Sequence, residues 1–246
     1  MFCSRCVRCC RQKNSTTHFV RPSQACYSLS LNSPMSQKSS VSLEYEQLKN
    51  QLLADMMAIP AFFPALLRLV SRGEPVPIAA LATEVHIPIH DIEQWLRQQP
   101  GTDWDSQGRL LGFGLTQRPT NHRFVLDGRT LYTFCAADAL IFPALLGQTA
   151  NVESRCADSG QQVHVKVEPN AVVFADPGQT MVSHIPGSLS SCDIRSTVCN
   201  HGVFYASVES ALHWQERHPN GVVLPVEEFF NICLAGLKKA GLIPFT

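Results

Sequence analysis

The chain has 246 residues, 45% of them apolar, and its 20 Lys and Arg are balanced by 20 Asp and Glu. That size and apolar share suit one large domain or two small ones and exclude global disorder. A formal net charge of zero gives no general pull toward nucleic acid or an anionic membrane, and no apolar run approaches the ~20 residues of a membrane-spanning helix.

Residues 1–40 stand apart. They carry Arg5, Arg8, Arg11, Lys13, Arg21 and Lys38 without one acid, together with many Ser. This is the composition of a disordered basic extension, or of an organellar transit peptide. The stretch "CSRCVRCC" offers Cys3, Cys6, Cys9 and Cys10 as thiolates for a soft metal. A second ligand pair does not follow within ~20 residues, so the zinc signal is weak. A solvated tail, or a true start at Met35, are the competing readings. The N-terminus shows no apolar segment of a secretory leader. Five cysteines, Cys135, Cys156, Cys192, Cys199 and Cys233, belong to the body, and an odd number cannot all pair. The expectation is a reducing, cytoplasmic setting in which thiols serve metal binding or catalysis.

Residues 41–118 are expected to form a helical, winged-helix-like module. Leu43, Leu48, Leu52, Leu53 and Met56 are spaced for one helix face. A second helix starts near Pro64 and stops at Gly73. "PIAALATEV" and "PIHDIEQWLRQQ" then read as two short helices joined by a turn around His86–Pro88. "TDWDSQGRLLGFGLT" reads as a hairpin turning at Ser106–Gly108. A DNA-binding regulator is the first rival on that outline. Between Pro60 and Arg118, however, five basic residues face six acidic ones, too few to neutralise phosphates. A structural or substrate-covering module fits better, with no nucleic-acid partner.

Residues 119–246 read as a mixed domain of short, mainly antiparallel strands surrounded by helices. "HRFVLDG", "QQVHVKVEP", "AVVFADPG" and "VCNHGVFYASV" are the predicted strands. Between the first two lies an apolar helix holding Cys135, kinked or ended by Pro143 before Gly147. "VESALHWQERHP" and "VEEFFNICLAGLKKAG" are amphipathic helices, the latter ended by Gly241. Without regular βαβ alternation the class is α+β.

"LYTFCAADAL" places a thiol, Cys135, three residues before a carboxyl, Asp138, in an apolar segment. On one helix face the two side chains would be neighbours, and a buried acid is costly unless something nearby needs it. Cys199 follows 64 positions later. Two thiols brought together by the fold beside an acid suit a soft metal and a proton at one site. The plain alternative is a core cysteine, a helix-turn cap and a packed strand cysteine.

"YTFCAADALIFPALLGQTANVESRCADSG" together with "CNHGVFYAS" closely resembles the bacterial organomercurial (alkylmercury) lyases, over about Pro64 to Lys239. The resemblance implies protonolysis of a carbon–mercury bond, giving a hydrocarbon and Hg(II). It implies Cys135, Asp138 and Cys199 as the catalytic residues. Cys135 and Cys199 would hold the mercury of substrate and product, and Asp138 would touch it transiently. Cys156 matches a third family cysteine of structural character. No organic cofactor is implied; exogenous thiols would help release the product. The implied partners are an organomercurial small molecule and, for Hg(II), mercuric reductase or small thiols. Two positions depart from the family pattern. Asn200 stands where some members carry a second cysteine, and Phe134 where a tryptophan often precedes the first. The alternatives kept open are a non-enzymatic mercury or copper carrier and the winged-helix regulator.

Other residues get plainer expectations. His201 tunes Cys199 or packs on a strand. His213 and His218 sit solvated on a polar helix. Trp95, Trp104 and Trp214 belong to core or rim, and Met56 and Met57 to helix packing.

Overall fold

The computed structural model describes residues 46, 47, 49–51, 59–185 and 193–244. The tail cysteines, Cys192, the whole first predicted apolar helix face (Leu43, Leu48, Leu52, Leu53 and Met56) and Met57 lie outside the described residues. All described residues belong to one compact unit, Tyr45–Thr246.

After the helical residues 46, 47 and 49–51, three helices follow: α1 (Phe63–Val70), α2 (Ile78–Val85) and α3 (Ile89–Arg97). Pro77 and Pro88 stand at the N-caps of α2 and α3, where a missing backbone N–H costs nothing. The turn between them is made by His86, which caps α2 in the left-handed region at φ 54°. The predicted hairpin follows as β1 (Asp103–Trp104) and β2 (Leu110–Phe113). Helix, helix, helix, hairpin is the expected winged-helix outline.

Next come β3 (Leu115–Thr116), β4 (His122–Leu126), β5 (Arg129–Thr133), α4 (Ala136–Leu146), β6 (Ala150–Arg155), β7 (Gln162–Glu168), β8 (Ala171–Asp176) and β9 (Met181–His184). The rest are α5 (Ile194–Thr197), a 3₁₀ turn (Cys199–His201), β10 (Phe204–Tyr205), α6 (Val208–Arg217), β11 (Val222–Pro225) and α7 (Val226–Lys239). Eight strands form one antiparallel sheet in the order β1-β2-β3-β5-β4-β6-β7-β8, and β10-β9-β11 form a second. β3 pairs with β5 through Leu115 with Thr133 and Thr116 with Tyr132, so the hairpin of the helical module is continuous with the large sheet.

Alternation sets the core. Phe124 and Leu126 of β4, Ala150 and Val152 of β6, and Val163, Val165 and Val167 of β7 all point inward. They pack with α4, whose residues Ala139 to Leu145 are all buried. A helix apolar on every side fits only where it is covered on every side. Pro143 does not end it: α4 runs to Leu146 and stops at Gly147, in the left-handed region at φ 66°.

Three local expectations need correction. "VCNHGVFYASV" is not one strand: Phe204 and Tyr205 alone pair with β9, and Cys199–His201 form a 3₁₀ turn. Val198 and Cys199 pack in a small cluster with Phe134 and Cys135, whereas Phe204 and Tyr205 belong to the main core. Strand β5 was also not anticipated, although Asp127 (φ 49°) and Gly128 (φ 75°) are the Asp-Gly pair of a two-residue hairpin. Finally, Cys135 is not on the face of α4. It is the N-cap, and its sulfur accepts the backbone N–H of Asp138 at 3.4 Å.

Candidate active site

Each member of the trio is placed by backbone as much as by side chain. Strand β5 ends at Thr133, whose hydroxyl donates to the Cys135 carbonyl at 2.9 Å. Phe134 N–H donates to the Gly114 carbonyl and Ala136 N–H to the Gly202 carbonyl, both at 2.8 Å. These bonds pin Cys135 between the end of a strand and the start of α4, with Asp138 three residues into the helix. Cys199 arrives from the far side on its 3₁₀ turn. Gly202 backs onto Cys135 so closely that a Cβ there would lie 3.1 Å from Cys135 Cβ. Buried Ser183 ties the turn down, donating to the His201 carbonyl at 2.6 Å and accepting from Val203 N–H at 3.2 Å.

The result is a three-point cluster. The sulfurs of Cys135 and Cys199 and a carboxylate oxygen of Asp138 all lie within 4.8 Å of one another. No other group of three such ligands occurs among the described residues. Both cysteines are free thiols, 4% and 8% exposed, so they are held apart from bulk water without being joined. Asp138 Oδ2 is buried and has no hydrogen-bond partner. Burying an unpartnered carboxyl oxygen is costly, and such groups concentrate where chemistry uses them.

The electrostatics follow from that burial. Desolvation pushes the Asp138 carboxyl up to about 6, against a hydrogen bond from Cys135 that pulls the other way. Cys135 is held well above the ordinary thiol range, first by its hydrogen bond with Cys199, then by burial and by the charge of Asp138. In the resting site, therefore, a proton stays on the Cys135 sulfur beside a carboxyl that is ready to take one.

An apolar cavity opens from the trio, with about 680 Å³ of empty space counting its mouth. Asp138 and Cys199 line it together with the rings of Phe63, Trp95, Phe113, Phe134 and Phe142, and with Gln99. The rings contact edge to face: Trp95 with Phe113 at 5.4 Å, and Phe113 with Phe134 at 6.3 Å. Gly114 lacks a Cβ where one would meet Phe142 at 2.8 Å. Phe63, Trp95, Gln99 and Phe113 come from the helical module, which thus supplies a wall of the cavity. None of these four is marked by local sequence as a site residue; only the chain's return onto itself reveals them.

The remaining candidates fall elsewhere. Cys156 is buried, and its sulfur accepts the Ser159 N–H at 3.4 Å. Burial raises that thiol, but hydrogen bonds from Ser159, Ala206 and Asp158 outweigh it and hold it below the usual range. Cys156→Ser is expected to destabilise the fold by about 1–2 kcal/mol while leaving turnover per folded molecule unchanged. Lost turnover at an unchanged melting temperature would contradict that role. Cys233 is buried in α7, and burial drives its thiol far upward. Asn200 is exposed, whereas Phe134 is buried against the trio. His201 is not on a strand; its ring lies 5.6 Å from His218, which stacks on Trp214 at 4.4 Å. His213 is solvent-exposed, as expected, and its ring also reaches Asp158 at 3.5 Å.

Comparison with known proteins places the chain in a family. A family profile described as alkylmercury lyase matches residues 115–235, and one described as the helix-turn-helix domain of alkylmercury lyase matches residues 46–114. An alkylmercury lyase of Staphylococcus epidermidis is 37% identical over 207 residues, 84% of this chain and 88% of that protein. One from Pseudomonas putida is 43% identical over 170 residues, 69% of this chain and 80% of its own length. Among solved structures, the mercury-bound form of MerB2 shares the fold with a TM-score of 0.63. That match is 24% identical and covers 78% of this chain and 98% of the other. With consecutive profiles spanning residues 46–235 and a relative aligned over most of both lengths, the chain belongs to the alkylmercury lyase family.

Proposed function

We propose that the chain is an organomercurial lyase in which Cys135, Cys199 and Asp138 break the carbon–mercury bond by protonolysis. The observation that carries this reading is the convergence, within 4.8 Å, of two free sulfurs and one raised carboxyl that keeps an unpartnered, buried oxygen. A carrier needs the sulfurs but has no use for the acid.

The chemistry follows from the donors. Mercury is soft and thiolates are the softest protein ligands, so one sulfur displaces X from R–Hg–X. When mercury bonds to the Cys135 sulfur, the thiol loses its proton, because a coordinated thiol is a far stronger acid than a free one. The neighbouring Asp138 carboxylate takes that proton. Bonding of the second sulfur loads more electron density onto mercury and makes the attached carbon more basic. Asp138 then delivers the proton to carbon, R–H leaves, and Hg(II) stays on the two sulfurs. Asp138 is thus base and then acid in a single turnover. The ring-lined cavity accommodates the organic group away from water.

No organic cofactor enters this scheme. Thiols from solution carry Hg(II) away, directly or toward mercuric reductase, and the setting is a reducing cytoplasm with no nucleic-acid or membrane partner. Among the described residues no helix is long and apolar enough to cross a membrane. The direct test is to incubate the purified protein with phenylmercury and excess thiol and assay for benzene. Stoichiometric benzene with turnover is expected; retention of phenylmercury without benzene would reduce the protein to a carrier.

A further inference from the structure

Cys199 sits on weak local structure. The helix before it, α5, has four residues, and the turn that carries it has three. Helices that short do not hold themselves. Together with Ile194 and Val198, Cys199 packs against Phe134 and Cys135 in a small cluster separate from the main core. The position of this sulfur is therefore set by anchors outside the turn. Ser183 and the Gly202 carbonyl provide two of them, on the side of the small sheet and α4.

A third anchor comes from the helical module. Arg195, four residues before Cys199, lays its guanidinium over the Phe134 ring at 4.0 Å. The same side chain donates to Asp103 Oδ1 at 3.1 Å and to the Gly101 carbonyl at 3.3 Å. Asp103 is itself fixed: its side chain is 8% exposed, and its Oδ2 accepts the Thr116 hydroxyl at 2.7 Å. Gly101 completes the seat, since a Cβ there would stand 2.9 Å from Arg195 Cβ. One guanidinium thus joins the module's β1, the residue next to Cys135, and the segment bearing Cys199.

We infer that Asp103, acting through Arg195, is a positioning residue that holds Cys199 over Cys135, and that this is a working role of the helical module in the reaction. The inference rests on the two-sulfur lyase reading but is testable apart from it. Neither residue touches the reacting atoms. Each sets the distance between two sulfurs, and an error of about 1 Å in such geometry costs up to roughly 100-fold in rate.

The test uses the full chain with Asp103→Asn, Arg195→Gln and the double variant. Asn removes the charge and leaves one acceptor oxygen for two donors, Arg195 and the Thr116 hydroxyl; Arg195 is the more exposed partner, so Arg195→Gln carries the test if Asp103→Asn folds poorly. Two readouts are taken per folded molecule: kcat for benzene release from phenylmercury, and retention of inorganic Hg(II) against a competing dithiol. Each single variant is expected to lower kcat by about 10- to 100-fold and to release Hg(II) to the dithiol more readily. The double variant is expected to be no worse than the poorer single one, because both break one link. Unchanged kcat and unchanged Hg(II) retention in the single variants would overturn the inference, as would losses that multiply in the double variant. If the wild-type chain released no benzene, the lyase reading would fail while Hg(II) retention still judged the anchor.

Discussion

Cys135→Ala and Cys199→Ala each lower carbon–mercury cleavage by at least about 10³-fold. The two sulfurs act as a unit. Either alone can capture R–Hg–X by displacing X, but one thiolate leaves mercury too poor in electrons to make its carbon a good proton acceptor. The double variant is therefore expected to be scarcely worse than either single one, the non-additivity of groups that work together. The measurement is hydrocarbon release, methane from methylmercury or benzene from phenylmercury, in excess thiol. A parallel assay follows Hg(II) retention against a dithiol competitor, which each single variant loses because two-point chelation becomes one-point. Full turnover in either variant would remove the two-sulfur scheme. The variants are expected to fold: both side chains lie in the small cluster of Phe134, Ile194 and Val198, outside the main core.

Asp138→Asn separates proton delivery from metal capture. The amide keeps the shape of the carboxyl but cannot relay a proton, so cleavage falls by about 10²- to 10⁴-fold while two-sulfur retention of Hg(II) persists. Loss of Hg(II) retention in step with activity would mean that Asp138 holds metal, not the proton. Stability gives an independent reading. Burial raises the carboxyl from 3.8 to about 6 in the folded protein, so between those values the native state binds the extra proton. The associated stability is fully present below about pH 4 and is lost as pH rises through about 6. Asp138→Asn, which has no such titration, is expected to gain on the wild type over that window, by about 1–3 kcal/mol at pH 8. Comparing melting curves of the two proteins from pH 4 to 8 cancels the titration of His122 and His184, which burial lowers to about 4 in both. A flat difference would mean that the carboxyl is not held up in the fold. A gain in stability with a loss of activity is the expected signature of a group kept for chemistry at a cost to folding.

Much of this protein is written along the chain. The spacing of apolar residues and the punctuation of Pro77, Pro88 and Gly147 mark the helices, because capping and periodicity are local effects. β4 and β7 follow from alternation, and β8 from a short apolar run. Strand β6 does not, since Ala150, Val152 and Ser154 face inward and leave little hydrophobic contrast. The Cys135 and Asp138 pairing is visible as a three-residue spacing, yet its local form is an N-cap, with Asp138 N–H bonded to the sulfur. The identity of the chemistry is legible in the thiols and the acid, whose softness and proton affinity are properties of side chains wherever they lie.

What only the tertiary structure decides is distance. Nothing along the chain says that Cys199 lies within 4.8 Å of Cys135 and Asp138, that Trp95 and Phe113 wall the cavity, or that Asp103 meets Arg195. Those meetings come from packing of the helices, α4 above all, against an eight-stranded sheet. The raised carboxyl is likewise a product of burial, and burial belongs to the whole fold rather than to any short stretch of it.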